Sequence, residues 1–171
     1  MIITTATDWQ EMRLFYHSVI DALQGAKYHP MWQKDIYPAP EDIKAAVEAG
    51  TMFAGRVEDE IVGAMVVNQR CNPEYYDAPW SRKLEQKEFL VIHTLCVHPR
   101  FARKGYAKEL VNYGLGLAKT AGMKSVRLDV LEGNIPAEKL YPSAGFEYVD
   151  TVRLFYEDTG WMNFKLYEFN M

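Results

Sequence analysis

The stretch Phe89-Leu-Val-Ile-His-Thr-Leu-Cys-Val97 is almost continuously apolar, and soon after it the chain turns at Gly105 into a segment of helical period. Continuous rather than alternating apolarity suits a strand buried on both faces, which needs elements packed above and below it. From Gly105 to Ala121, the residues Ala107, Leu110, Val111, Gly114, Leu117, Ala118 and Ala121 recur at steps of three and four and mark one helix face, with Gly122 as a stop. Gly114 and Gly116 each cost about 1 kcal/mol inside a helix, which implies a close neighbour on their side. Val126, Leu128 and Val130 then alternate with Arg127 and Asp129 as a second strand. Strand, helix, strand in that order implies a parallel pair joined by a right-handed crossover.

Antiparallel signals surround this unit. Ile2 to Ala6 reads as a short strand, and Asp8 with Glu11 as a capping box opening a helix from Trp9 to Leu23 that Gly25 stops. An irregular aromatic stretch, Ala26 to Pro40, precedes a shorter helix opened by Pro40 and ended by Gly50. Met52–Val57 and Ile61–Asn68 form a hairpin, followed by a loop from Cys71 to Gln86. Pro136 to Ala144 is a short helix with Gly145 beyond it, and Phe146–Tyr156 and Trp161–Phe169 form a last hairpin. The sum is a mixed sheet flanked by helices, an α/β (α+β mixed) domain. With 171 residues and no repeat or linker, it is read as one domain over 1–171.

Hydrophobic residues at 49% and charged residues at 25% supply a core and exclude disordered, collagen-like and disulfide-scaffold classes. The two cysteines, Cys71 and Cys96, are too few for a secreted disulfide framework. A net charge of −4 speaks against nucleic acid as the main partner, and no apolar run approaches the ~18 residues of a membrane span. Met1 to Asp8 carries neither the basic nor the apolar region of a signal peptide, so the expected location is cytoplasmic. His17, His29 and His98 are isolated, and no Cys/His spacing suggests a metal.

The turn Val97-His-Pro-Arg-Phe-Ala-Arg-Lys-Gly-Tyr-Ala107 is the most informative segment. It joins a buried strand to a helix N-terminus, whose first-turn N–H groups lack internal partners and attract anions. Gly105 permits a tight turn, Ala107 keeps the turn small, and Arg100, Arg103, Lys104 and Lys108 concentrate positive charge in an acidic chain. A phosphate or pyrophosphate cradle fits this pattern; solvated loop charges are the competing reading. Neither the P-loop nor the dinucleotide-binding glycine pattern is present.

Val97-x-Pro99 with Lys104-Gly105-Tyr106-Ala107 resembles the acyl-CoA-binding motif of the GNAT superfamily of N-acetyltransferases. Further on, Asn134-x-x-Ala137-x-x-Leu140-Tyr141-x-x-x-Gly145-Phe146 resembles that family's second motif. The motifs span roughly Ile92 to Val149, and the order of elements matches along the whole chain. One departure is Ala102, where the family usually carries Gln or Arg; Arg103 is the substitute at hand.

The resemblance implies a mostly antiparallel sheet of about seven strands around a central parallel βαβ pair, with helices on both faces. It implies direct acetyl transfer from acetyl-CoA, without a metal, to a primary amine on a small molecule or peptide. Arg103, Lys104, Gly105, Tyr106, Ala107 and Lys108 would cradle the coenzyme A phosphates, and Leu95, Cys96 and Val97 would lie against the pantetheine arm and thioester. Asn134 would hold that arm or cap its own helix. Tyr141 matches the position that protonates the leaving sulfur, against a reading in which it only packs under the Gly145-Phe146 turn. His93 is the candidate base, with Glu88 or no dedicated base as alternatives, and Cys96 is read as a small buried hydrophobe rather than a nucleophile. The aromatic segments Tyr28–Tyr37 and Tyr75–Trp80 are candidate walls for the acceptor pocket, or ordinary loop anchors. The acidic bias of the last hairpin suits a cationic amine or a solvated face. A non-catalytic acyl-CoA sensor is the other functional reading; the family also allows a homodimer.

Overall fold

In the computed structural model, which describes residues 1–171, one seven-stranded sheet organises the chain. The elements are β1 (Ile2–Thr5), α1 (Trp9–Ala22), α2 (Pro40–Glu48), β2 (Met52–Val57), β3 (Glu60–Asn68), β4 (Phe89–Val97), α3 (Tyr106–Thr120), β5 (Ser125–Leu131), α4 (Ile135–Ser143), β6 (Glu147–Tyr156) and β7 (Gly160–Asn170). The strands lie in the order β1-β2-β3-β4-β5-β7-β6, and β4–β5 is the one parallel pair. No helix is long and apolar enough to cross a membrane.

Period-two alternation divides the core between the sheet faces. Phe53, Met65 and Val67 pack with Leu110, Val111 and Ala118 of α3, while Met52, Ala54, Ala64 and Val66 pack with Met12, Phe15 and Val19 of α1 and with α2. Helices therefore cover both faces, as expected. At the C-terminal half of the second face no helix is available. There the 71–86 loop inserts Tyr75 beside Phe89, Val91 and Leu166, with Trp80 against the same cluster.

Two local expectations change. A Cβ on Gly114 would lie 3.1 Å from Ile92 Cδ1, so this glycine does admit a close neighbour, but Gly116 faces nothing within 4 Å. Asp8 caps α1 by accepting from the backbone N–H groups of Gln10 and Glu11, whereas the Glu11 carboxylate reaches Arg56 at 2.5 Å rather than closing a capping box. An arginine on the neighbouring strand outcompetes the local backbone donor for that carboxylate.

The feature that positions the site is the departure of β4 from β5. Their ladder covers Phe89–Val91 against Ser125–Arg127 and then stops. Beyond it, β4 bulges on the β3 side, where Val66 faces His93 and Ala64 faces Cys96, and Thr94 takes φ +48°. An extra residue in one strand increases local twist and bends it away from its neighbour. The buried Tyr16 hydroxyl lies 3.1 Å from both the Thr94 carbonyl and its Oγ1, which pins the bulge from α1. The result is a wedge between β4 and β5, with unpaired strand edge along it.

Candidate active site

The wedge is the mouth of a continuous cleft of about 890 Å³. It runs from the β4–α3 turn, past the β4 edge, to a chamber under the 26–40 segment and the β6–β7 turn. Eleven of the twelve residues assigned above to coenzyme binding or catalysis line it: His93, Leu95, Cys96, Val97, Arg103, Gly105, Tyr106, Ala107, Asn134 and Tyr141, together with Lys108. The Lys108 ammonium donates to the Ser143 carbonyl at 2.9 Å and so ties α3 to the end of α4. Lys104 is absent from the walls; its ammonium sits over the Phe101 ring at 5.6 Å.

At the mouth, the successive backbone N–H groups from Arg103 to Lys108 find no acceptor in the protein. The α3 N-terminus has no side-chain cap, and Gly105 precedes it at φ +85°. A Cβ there would meet no atom within 4 Å, so the protein leaves open the space over these amides. Unpaired donors at a helix start, with Arg103 beside them, favour an anion over this turn. Gly105→Val should cost about 1–2 kcal/mol of stability, because a β-branched residue is strained at positive φ. It should also weaken coenzyme A binding at least about tenfold by placing methyl groups over the amides. Denaturant titration and calorimetry read the two effects separately, and unaltered affinity would contradict the cradle.

In mid-cleft, Tyr141 of α4 packs its ring against Phe146 and Tyr167, at centroid distances of 5.7 and 6.2 Å. Its hydroxyl has no protein partner, and burial raises its pKa, so it carries its proton throughout the neutral range. Asn134 sits at the α4 N-cap position but makes no capping hydrogen bond, which leaves its amide free in the cleft. Burial also pushes the Cys96 thiol well up, and a thiol that stays protonated is no nucleophile.

His93 Nε2 lies 3.1 Å from Asn68 Oδ1 and 3.1 Å from the Arg70 carbonyl. Two acceptors at one nitrogen assign it the hydrogen and leave the lone pair on Nδ1. Burial brings His93 down to about 4, so the ring is neutral at pH 7. A second cavity of about 220 Å³ lies behind His93 and Thr94. Glu88 is elsewhere, paired with Lys124 and capping Glu85.

The two aromatic segments have opposite fates. Tyr28, Trp32 and Tyr37 do wall the cleft. Tyr75 lies in the core instead, with the half-buried Trp80 packed against the same cluster, and the Tyr75 hydroxyl donates to Asp129 Oδ2 at 2.6 Å. The acidic bias of the last hairpin also resolves: Asp158 lines the cleft, whereas Glu168 is buried against Arg127. Asp129, which the alternation of β5 places merely opposite its apolar face, also lines the cleft. Nothing local marks it, because the splay of β4 and the 71–86 loop create its surroundings.

This geometry has relatives. Residues 16–146 match the family model described as "Acetyltransferase (GNAT) family". The chain is 31% identical over 86 residues to an uncharacterized N-acetyltransferase of Methanocaldococcus jannaschii, covering 50% of this chain and 35% of that one. It is 32% identical over 65 residues to a [ribosomal protein bS18]-alanine N-acetyltransferase of Haemophilus ducreyi, covering 38% and 45%. These alignments thus span less than half the length of either curated relative. Among solved structures, a GNAT family acetyltransferase from Streptococcus agalactiae superimposes with TM-score 0.78 at 19% identity, over 99% of this chain and 95% of that one. Arabidopsis thaliana NAA60, solved in complex with acetyl-CoA, gives 0.68 at 15% identity over 99% and 97%. With the family model matched over most of its length, the chain belongs to the GNAT family of acetyltransferases.

Proposed function

We propose that the protein transfers an acetyl group from acetyl-CoA to a primary amine by direct attack. The observation that carries this reading is the continuity of the cleft. An amide-rich anion mouth, an unpaired strand edge and an unpartnered tyrosine hydroxyl open into one space.

These residues fit coenzyme A. The amides from Arg103 to Lys108 would hold its phosphates, and backbone groups of Leu95, Cys96 and Val97 would pair with its amide-bearing arm as a neighbouring strand would. Asn134, with its side chain free, is available to the same arm. Bound acetyl-CoA would supply the thioester, whose carbonyl carbon gains a bond to the amine nitrogen as its bond to sulfur breaks.

Tyr141 holds the proton that the departing sulfur needs. Its raised pKa is matched to the task, since the same burial that pushes up the neighbouring Cys96 thiol makes a thiolate in this space a stronger base. His93 offers Nδ1 as a proton relay; its depressed pKa makes it a poor place to keep a proton and suits it to passing one on to water. The overall balance releases one proton per ammonium acetylated.

The test is thiol release from acetyl-CoA in the presence of a panel of amines, with coenzyme A binding measured by calorimetry. Amine-dependent release with micromolar binding is the expected result. Binding without release from any amine would establish the sensor reading, and absence of both would remove coenzyme A from the account.

A further inference from the structure

Beyond Tyr141 the cleft changes character. Its walls become aromatic, with Trp32 and Tyr37 at 6.3 Å between ring centroids and Tyr37 and Tyr156 at 5.1 Å. Gln33 donates to the Asp158 backbone carbonyl at 2.6 Å, which ties the 26–40 segment to the β6–β7 turn. The lysine and arginine side chains of the cleft, Arg103, Lys108 and Lys139, belong to the turn before α3 and to the α3 and α4 helices, not to the elements that build this chamber.

Two carboxylates face this space, and neither has a cation within ion-pair distance. Asp129 Oδ2 accepts from the Tyr75 and Tyr156 hydroxyls, at 2.6 and 2.9 Å, while its other oxygen has no protein partner. Asp158 Oδ1 is buried without a well-formed hydrogen bond, and only the nearby backbone N–H groups of Asp158 and Thr159 offset the burial of this carboxylate. A buried carboxylate oxygen without a partner costs about 1–3 kcal/mol, so a fold retains it where something else supplies the partner. Aromatic faces add a second preference for a cation. The fold also orders the two acids: Asp129 lies on β5 and accepts from Tyr156, whose ring is 5.1 Å from that of Tyr37, whereas Asp158 lies in the turn between β6 and β7. Asp129 is therefore the acid on the strand bordering the β4–β5 wedge, and Asp158 the one at the far turn. Burial raises both carboxyls, Asp158 to about 6, as expected of acids whose counter-charge arrives with a ligand.

We propose that this chamber is the acceptor subsite for a small dicationic amine, with Asp129 receiving the ammonium to be acetylated and Asp158 pairing with a second cationic group. The assignment rests on the acetyl-transfer reading above and specifies its acceptor. Size supports a small molecule over a polypeptide, since about 890 Å³ must hold both the coenzyme arm and the acceptor.

The experiment compares straight-chain α,ω-diamines with n-alkylamines of equal length and a short alanyl peptide, each with acetyl-CoA. The best diamine should exceed its monoamine in kcat/KM by about tenfold, the worth of one partly buried ion pair. Asp158→Asn should lower kcat/KM for the diamine about tenfold more than for the monoamine, with coenzyme A affinity retained as evidence of folding. Asp129→Asn should depress both amines. Equal use of diamine and monoamine, equal loss with both in Asp158→Asn, or preference for the peptide would overturn the subsite while leaving acetyl transfer intact. If coenzyme A binds but no amine releases thiol, acetyl transfer fails, and titration of the diamine into the coenzyme complex decides the subsite. Heat that weakens about tenfold in Asp158→Asn upholds it, and absence of heat refutes it.

Discussion

Replacing Tyr141 with phenylalanine should lower kcat by roughly a hundredfold, the usual worth of a positioned general acid, while coenzyme A binds as before. The substitution is a clean probe because the hydroxyl has no partner in the protein and the ring alone packs against Phe146 and Tyr167. Stability should therefore stay within about 0.5 kcal/mol of the parent. Steady-state thiol release and calorimetry on the same preparation test both halves of the statement. Unchanged kcat would take Tyr141 out of the mechanism and leave the sulfur to be protonated by solvent.

The largest expected loss of stability lies away from the cleft, at Arg127. This side chain is 3% exposed, and its guanidinium is stacked between the Trp80 and Phe89 rings at 4.3 and 4.4 Å. It donates to Glu168 at 2.9 Å and to the Arg82 carbonyl at 2.9 Å. Arg127→Met should destabilise the protein by about 3–5 kcal/mol, because it strands a buried carboxylate. Ser81 and Ser125 would still donate to Glu168 but could not replace the charge. In the parent, these donors and the guanidinium hold Glu168 below its ordinary range, so its stabilising contribution is present above that range and fades as pH falls through it. In the variant the carboxylate prefers its proton, so the deficit should narrow in acid. Denaturant midpoints across pH would show this, and adding Glu168→Gln should recover much of the loss at neutral pH. A deficit that does not vary with pH would place the cost in packing instead.

Most of the architecture was legible because its signals are short-range. The β4 strand runs from Phe89 to Val97 as its unbroken apolarity predicts, and the helix after Gly105 shows the spacing read from Leu110 to Ala118. The anion turn was legible for the same reason: a glycine at positive φ and a helix start are properties of neighbouring residues. Identical chemistry in different contexts was not legible. Tyr28–Tyr37 and Tyr75–Trp80 are both polar-tipped aromatic loops, yet one walls the cleft and the other seals the core under β4 and β5. Asp129 illustrates the limit most clearly. On a strand read by alternation it is simply the residue beside Val130. Its position in the cleft depends on a bulge at Thr94, a tyrosine from the 71–86 loop and another from β6.

The amino-acid order alone determined where most strands and helices lie and that an amide-rich, basic turn starts α3. Those follow from periodicity and from backbone donors that local geometry leaves unpaired. The unbroken apolarity of β4 gave burial only as far as Ile92, and residues 93–97 are half-buried along the cleft. Only the tertiary structure decided that β4 parts from β5 after Val91, and hence that Tyr141, His93, Asp129 and Asp158 share one space. Burial and electrostatic environment belong to the assembled neighbours of a residue rather than to its place along the chain.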